Sequence, residues 1–329
     1  MKILLTGANG YIGRRLLPRL VMHGNDVVCL VRDRRRIELK DNLVEKVSFI
    51  EADLLKEDTL KKIPEDIDAA YYLVHSMGNS GKFQDLEKQA AINFNSAIEN
   101  TQCKHVIFLS GIVNEEKLSR HLRSRQEVEN VLQSAKVPVT VLRAAIIIGS
   151  GGASFEIIRD LVEKLPVMVA PKWLKTLCQP IAIRNVLEYL EKILLKEEAY
   201  DQTFDIRGPD ILTYKEMLLQ FAEVRHLKRT IISVPVLTPR ISSYWLYFIT
   251  STSFPLAQSL VDSMKNEVIV QKKGIDRVVD IQLLNYRQAV ERAFDRIAQN
   301  EVISSWKDAL ASSNIDTNLM EYIRLPTYG

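Results

Sequence analysis

Several features that mark particular protein classes are scarce in this 329-residue sequence. It has only three cysteines, Cys29, Cys103 and Cys178, with no Cys-x-x-Cys pair. Neither a disulfide framework nor a zinc site is therefore expected, and a reducing cytosol suits the chain. The net charge of +3 is too small to argue for a nucleic-acid partner. Long apolar runs are missing too. The uncharged stretch 241–261 is about as long as a membrane span, but five Ser, two Thr, Gln258 and Pro255 interrupt it. Inserted in lipid, those polar groups would need partners, so no span is expected and membrane-surface contact is disfavoured. Only Ile3-Leu4-Leu5 lies between Met1-Lys2 and Thr6-Gly7, which predicts no secretory leader. The 47% hydrophobic and 26% charged content excludes disorder and collagen-like structure, leaving a cytoplasmic globular protein with a small-molecule substrate as the expectation.

What is present is alternation. Short apolar runs at 2–6, 27–31, 47–50, 69–74, 105–109 and 139–142 are separated by helical spacing near 11–23, 55–62, 83–100 and 117–135. Continuously apolar strands alternating with helices imply βαβ crossovers and an α/β fold, a doubly wound parallel sheet with helices on both faces. After Gly149 a helix near 155–164 and a Pro-containing stretch precede Ile181-Ala182-Ile183, which reads as a return to the sheet, and a helix over 185–195. Further helices are expected near 213–225 and 286–299, with a strand near 230–234. We expect a dinucleotide-binding domain over 1–203, with a substrate-lobe insertion near 150–178, and a smaller interleaved C-terminal substrate lobe over 204–329.

Thr6-Gly7-Ala8-Asn9-Gly10-Tyr11-Ile12-Gly13 lies between the first strand and the first helix. Gly7 suits a tight turn, Gly10 admits a diphosphate close to the backbone, and Gly13 lets the helix pack on the sheet. Asn9, Tyr11 and Ile12 complete the turn, whose N–H groups can hold the anion. A carboxylate at the end of the second strand would take the adenosine ribose 2′-hydroxyl; the residue there is Arg32, with Arg34, Arg35 and Arg36 close behind. Guanidinium is suited to bidentate phosphate contact, so NADP(H) is preferred, with NAD(H) possible. Asp33 is the competing feature, since it could take the ribose hydroxyl instead.

Together with Arg32, Ala52-Asp53-Leu54 after the third strand and Tyr72-Leu73-Val74-His75-Ser76 at the fourth, the glycine signature resembles the NmrA-like, atypical branch of the extended short-chain dehydrogenase/reductases. The resemblance covers residues 1–195 clearly. It implies a seven-stranded Rossmann sheet with NADP(H) across its C-terminal strand ends, adenine contacts from Asp53 and Leu54, and Leu73, Val74 and His75 beneath the nicotinamide ribose. Read without it, Asp53 serves equally well as a helix N-cap.

Short-chain dehydrogenases generally pair a carbonyl-polarising Ser or Thr with a Tyr-x-x-x-Lys on one helix face. Ser110 closes the fifth strand and fits the first role. None of the eleven tyrosines has Lys four residues later. The corresponding helix instead places His121 and Arg125 at that spacing. His121 could donate a proton near neutral pH, whereas Arg125, always charged, could hold the ribose but not shuttle a proton. Surface or packing roles compete for both, and His75 is a rival acid. His23, His105 and His226 have no metal-like spacing and read as structural. Gly149-Ser150-Gly151-Gly152 could bind a carboxamide or substrate oxygen through its amides, Arg143 could anchor substrate, and Tyr244, Trp245, Tyr247 and Phe248 either line an apolar pocket or pack the lobe. The combined expectation is hydride transfer to or from an organic carbonyl or conjugated alkene, against a catalytically inactive nucleotide-binding regulator or assembly protein.

Overall fold

A computed structural model describes residues 1–37, 39, 41–74, 83–112, 120–234, 266–271 and 274–298. Its strands are β1 (Lys2–Thr6), β2 (Asp26–Val31), β3 (Val47–Glu51), β4 (Ala69–Tyr72), β5 (Val106–Gly111), β6 (Val139–Ala144), β7 (Ile147–Ile148), β8 (Val167–Pro171), β9 (Leu177–Cys178), β10 (Ile181–Ala182), β11 (Thr203–Ile206), β12 (Leu212–Thr213) and β13 (Thr230–Val234). The helices are α1 (Gly13–Met22), α2 (Glu57–Leu60), α3 (Phe83–Ile98), α4 (Arg120–Gln133), α5 (Ala153–Lys164), α6 (Ile183–Lys192), α7 (Tyr214–Val224), α8 (Ile275–Val278) and α9 (Tyr286–Ala298).

Seven strands form one sheet in the order β11-β6-β5-β4-β1-β2-β3, and every neighbouring pair is parallel. Alternation along each strand divides its side chains between two faces. Ile3, Leu5, Cys29, Tyr71, Ile107 and Leu142 join a core with α1 and α6. Leu4, Val28, Ala70, Tyr72, Phe108 and Val141 join another with α3 and α4. Both faces are covered, which explains the unbroken apolar runs in the sequence. The sheet order reverses between β1 and β4, the place where such folds open a crevice at their carboxyl strand ends.

Two expectations need correction. Ile181-Ala182 does not rejoin the main sheet: β10 pairs with β7 in a separate two-stranded sheet. The returning strand is β11, paired with β6, so the sheet runs past residue 203. Its sequence, Thr-Phe-Asp-Ile, carries a charge and lacks the continuous apolar run used to find the others. A third core, built on α5, α7 and α9, lies beyond the sheet; Phe155 packs against Phe221 and Phe294 with ring centroids 5.6 and 5.5 Å away. The capping box of Thr213 and Glu216 starts α7 by satisfying N–H groups that helix geometry leaves open. The uncharged stretch 241–261, with Tyr244, Trp245, Tyr247 and Phe248, lies outside the described residues. Among the described residues no helix is long and apolar enough to cross a membrane.

Candidate functional site

The glycine turn sits at the sheet's switch point, and its three glycines separate by what surrounds them. Gly7 has φ +70°, and a Cβ there would lie 2.6 Å from Leu73 O, at the end of β4. A Cβ at Gly13 would lie 2.2 Å from Gly7 O. Both positions are demanded by packing. Gly10 differs: among the described residues only Gly7 O, at 3.2 Å, lies within 4 Å of its hypothetical Cβ. Open space ahead of that backbone is the cradle an extra methyl would obstruct. Beside it the Asn9 side chain and the Ile12 N–H make no hydrogen bond to the described residues. At the mouth of α1 this arrangement suits an anion such as a diphosphate.

Arg32 follows β2 directly and is exposed. Asp33 does not turn toward a ribose: its Oδ1 accepts from Arg35 N at 3.0 Å, capping the 3-10 turn Arg34–Arg36, and the carboxylate pairs with Arg35 and Arg36. Hydrogen bonds from Arg35 hold the Asp33 carboxyl below the usual carboxylate range. Arg34 stacks on Phe49, with its guanidinium 3.8 Å from the ring centroid. Asp53 Oδ1 accepts from Leu55 N at 3.0 Å, a local turn cap. Leu54 is buried in the α3–α4 core, and its carbonyl accepts from Asn93 Nδ2 at 2.8 Å. Leu73 N donates to Thr6 Oγ1 at 3.2 Å, joining the end of β4 to the start of the turn.

At the ends of β5 and β6 lies a buried polar layer. Ser110 is 6% exposed, and its Oγ has no hydrogen-bond partner among the described residues. Such a hydroxyl is an exception in a packed interior and is available to a water or a ligand. Arg125, from α4, donates to Leu109 O and to Val74 O, the latter at 3.3 Å, and lies 4.5 Å from the centroid of Phe108. Burial lowers its pKa, with Glu87 opposing. It thus ties together the ends of β4 and β5. Ser124 beside it donates to Glu87 on α3.

Arg143 is not a substrate anchor. Its guanidinium grips Glu129 bidentately, Nε–Oε2 3.0 Å and Nη2–Oε1 2.5 Å, with both side chains buried. Nor is the turn 149–152 an open nest: Gly151 N donates to Glu156 Oε1 at 2.9 Å and Gly152 N to Gly149 O at 3.0 Å. Sequence reasoning missed Glu129 and Glu87. The available signal was their spacing on helical faces otherwise filled by Val128, Leu132, Ala91 and Phe94. His75 lies outside the described residues, as does the side chain of His121, whose backbone belongs to α4. No cluster of His, Cys, Asp and Glu suited to a metal ion occurs among the described residues.

The all-parallel sheet, with its strand-order reversal beside the glycine turn, is a Rossmann-like α/β fold. Residues 7–162 match the family model described as NAD(P)H-binding. Over 226 residues it is 24% identical to divinyl chlorophyllide a 8-vinyl-reductase of Arabidopsis thaliana, covering 64% of this chain and 54% of the relative. It is 23% identical over 238 residues to the mitochondrial NADH-ubiquinone oxidoreductase 40 kDa subunit of Neurospora crassa, covering 70% and 61%. The chain thus spans little more than half the length of these curated relatives. Triphenylmethane reductase of Citrobacter, solved in complex with NADP(H), has the same fold: TM-score 0.71 at 16% identity, covering 89% of this chain and 100% of that one.

Proposed function

We propose that this chain is an NADP(H)-binding oxidoreductase of the atypical, NmrA-like type. It would move hydride between nicotinamide C4 and a small or medium organic carbonyl or conjugated alkene. The observation that carries the reading is the pairing of an open glycine turn at the switch point with a Ser110 hydroxyl, at the end of β5, that has no partner among the described residues. Gly10 and the N–H groups near Ile12 would hold the diphosphate, and Arg32 the adenosine 2′-phosphate. When bound, NADPH supplies the hydride. Ser110 Oγ donates to the acceptor oxygen and stabilises negative charge as it develops there. His121 is the assigned proton donor, because Arg125 is a fixed cation. The plant relative is named for reducing a vinyl group, which supports the alkene arm, and the Citrobacter reductase binds NADP(H), which supports the cofactor.

Calorimetry with NADPH and NADH, followed by turnover on a panel of ketones, enones and quinones, tests this reading. NADPH is expected to bind more tightly, and Arg32→Ala to erase the preference. Ser110→Ala should lower turnover by about a hundredfold or more while leaving NADPH affinity intact; His121→Phe should abolish turnover. Failure of both nucleotides to bind at millimolar concentration overturns the cofactor reading. A second reading, a catalytically inactive nucleotide-binding regulator or assembly protein, is favoured by the commitment of Arg125 to two backbone carbonyls where a Lys would be free to serve the ribose. The Neurospora relative is itself named as a subunit. Tight NADPH binding without turnover on any acceptor would select it.

A further inference from the structure

The side chain of Tyr11 turns inward, away from the mouth of the glycine turn. A Cβ at Gly149 would stand 2.7 Å from the Tyr11 hydroxyl, and one at Gly152 3.1 Å from it. Glycine at both positions is what leaves room for the phenol. Burial pushes its pKa up to about 12, so it is neutral at any physiological pH. Arg15, one helical turn further on, lays its guanidinium 4.5 Å from the Tyr11 ring centroid and donates Nη2 to Ser150 O at 2.6 Å. The contacts continue from there. Gly151, at φ +73°, donates its N–H to Glu156 Oε1 on α5, and Glu156 pairs with Arg159 at 2.5 Å. The neighbouring Phe155 is fully buried in the third core. An unbroken set of packed and hydrogen-bonded groups therefore runs from the glycine turn to the heart of the second lobe.

We propose that Tyr11 and Arg15 are positioning residues that join the glycine turn to α5, so that filling the turn with a dinucleotide fixes the helix that opens the substrate lobe. The inference rests on the dinucleotide reading of residues 7–13. Among the described residues the Arg19–Glu191 pair, further along α1, leads to α6 instead. Coupling of this kind is reciprocal in free energy. The factor by which bound nucleotide favours the ordered lobe is the factor by which the ordered lobe favours nucleotide.

The experiment uses the full-length protein and NADPH, with two readouts: calorimetric affinity and hydrogen exchange of the α5 amides with and without nucleotide. In the wild type NADPH should slow α5 exchange by about tenfold, within the usual range for coupled sites. Arg15→Met should reduce that slowing to less than about twofold and weaken NADPH binding by a similar factor. Arg15→Lys, which can still reach Ser150 O, should restore much of both. Glu156→Ala, on the lobe side of the chain of contacts, should weaken NADPH binding too, and it keeps the inference testable where an Arg15 variant folds poorly. Wild-type NADPH affinity in Glu156→Ala, or unchanged α5 exchange on NADPH binding to the wild type, overturns the coupling. Failure of the wild type to bind NADPH at all is a different result, and it removes the dinucleotide reading beneath it.

Discussion

Two residues of the polar layer, Arg125 and Arg143, look alike in the sequence and differ in what they hold. Arg125 holds backbone carbonyls of two strands, whereas Arg143 holds a carboxylate. The Arg143–Glu129 pair is buried, so its Coulomb attraction is offset by the cost of removing both charges from water. Removing one partner leaves the other charged and alone. Arg143→Met is expected to destabilise the protein by about 3–5 kcal/mol, and the double change Arg143→Met, Glu129→Leu by much less. Urea denaturation of the two variants checks this; equal losses would mean that the pair has no mutual role. Arg32 and Ser110 stand out in the sequence because each closes an apolar run. Arg143 was misread as a substrate anchor for the opposite reason. Its partner lies fourteen residues back on a helix, and only packing of α4 on the sheet brings them together.

At the scale of elements, the turn between β1 and α1 makes a sharp contrast. Gly13→Ala drives a Cβ to 2.2 Å from Gly7 O, so the helix must move off the turn. Gly10→Ala meets only one atom, at 3.2 Å. We expect Gly13→Ala to lower the melting temperature and Gly10→Ala to leave it nearly unchanged while abolishing NADPH binding. A Gly10→Ala protein that binds NADPH as the wild type does would place the anion elsewhere.

The base of β5 offers a pH test. His105 is wholly buried; its Nδ1 accepts from Leu195 N at 3.0 Å and its Nε2 meets Thr140 Oγ1 at 2.7 Å. Burial lowers its pKa from 6.5 to about 4. The folded state therefore refuses a proton that the unfolded chain takes up. Stability is fully present above about pH 6.5 and falls by about 1.4 kcal/mol per unit below it, reaching about 3 kcal/mol near pH 4. Denaturation across that interval should show this slope in the wild type and a shallower one in His105→Gln. The histidine was correctly read as structural from its lack of metal spacing. Nothing local announced Leu195, which approaches only because the chain after α6 returns beneath the sheet in a left-handed turn at φ 54°.

Among the described residues, three apolar cores hold the molecule together: one on each face of the sheet and one in the second lobe. A ligand that binds only the folded state adds stability by mass action. NADPH at about a hundred times its dissociation constant should raise unfolding free energy by about 2.7 kcal/mol. A melting temperature that rises with NADPH in the wild type, and stays flat in Gly10→Ala, checks that the gain comes from the turn.

The sheet, its crossovers and the glycine turn were written in the sequence. Continuous apolar strands, helical spacing and glycines at fixed intervals are local patterns, and burial on both faces leaves them little choice of partner. The pairing of β11 with β6, the binding of Arg143 by Glu129 and the inward seat of Tyr11 were decided by the tertiary structure alone. Each depends on residues fourteen or more positions apart in sequence meeting at a particular distance. Such contacts leave no periodic trace, because a charged or polar side chain reads the same whether it faces water or a buried partner.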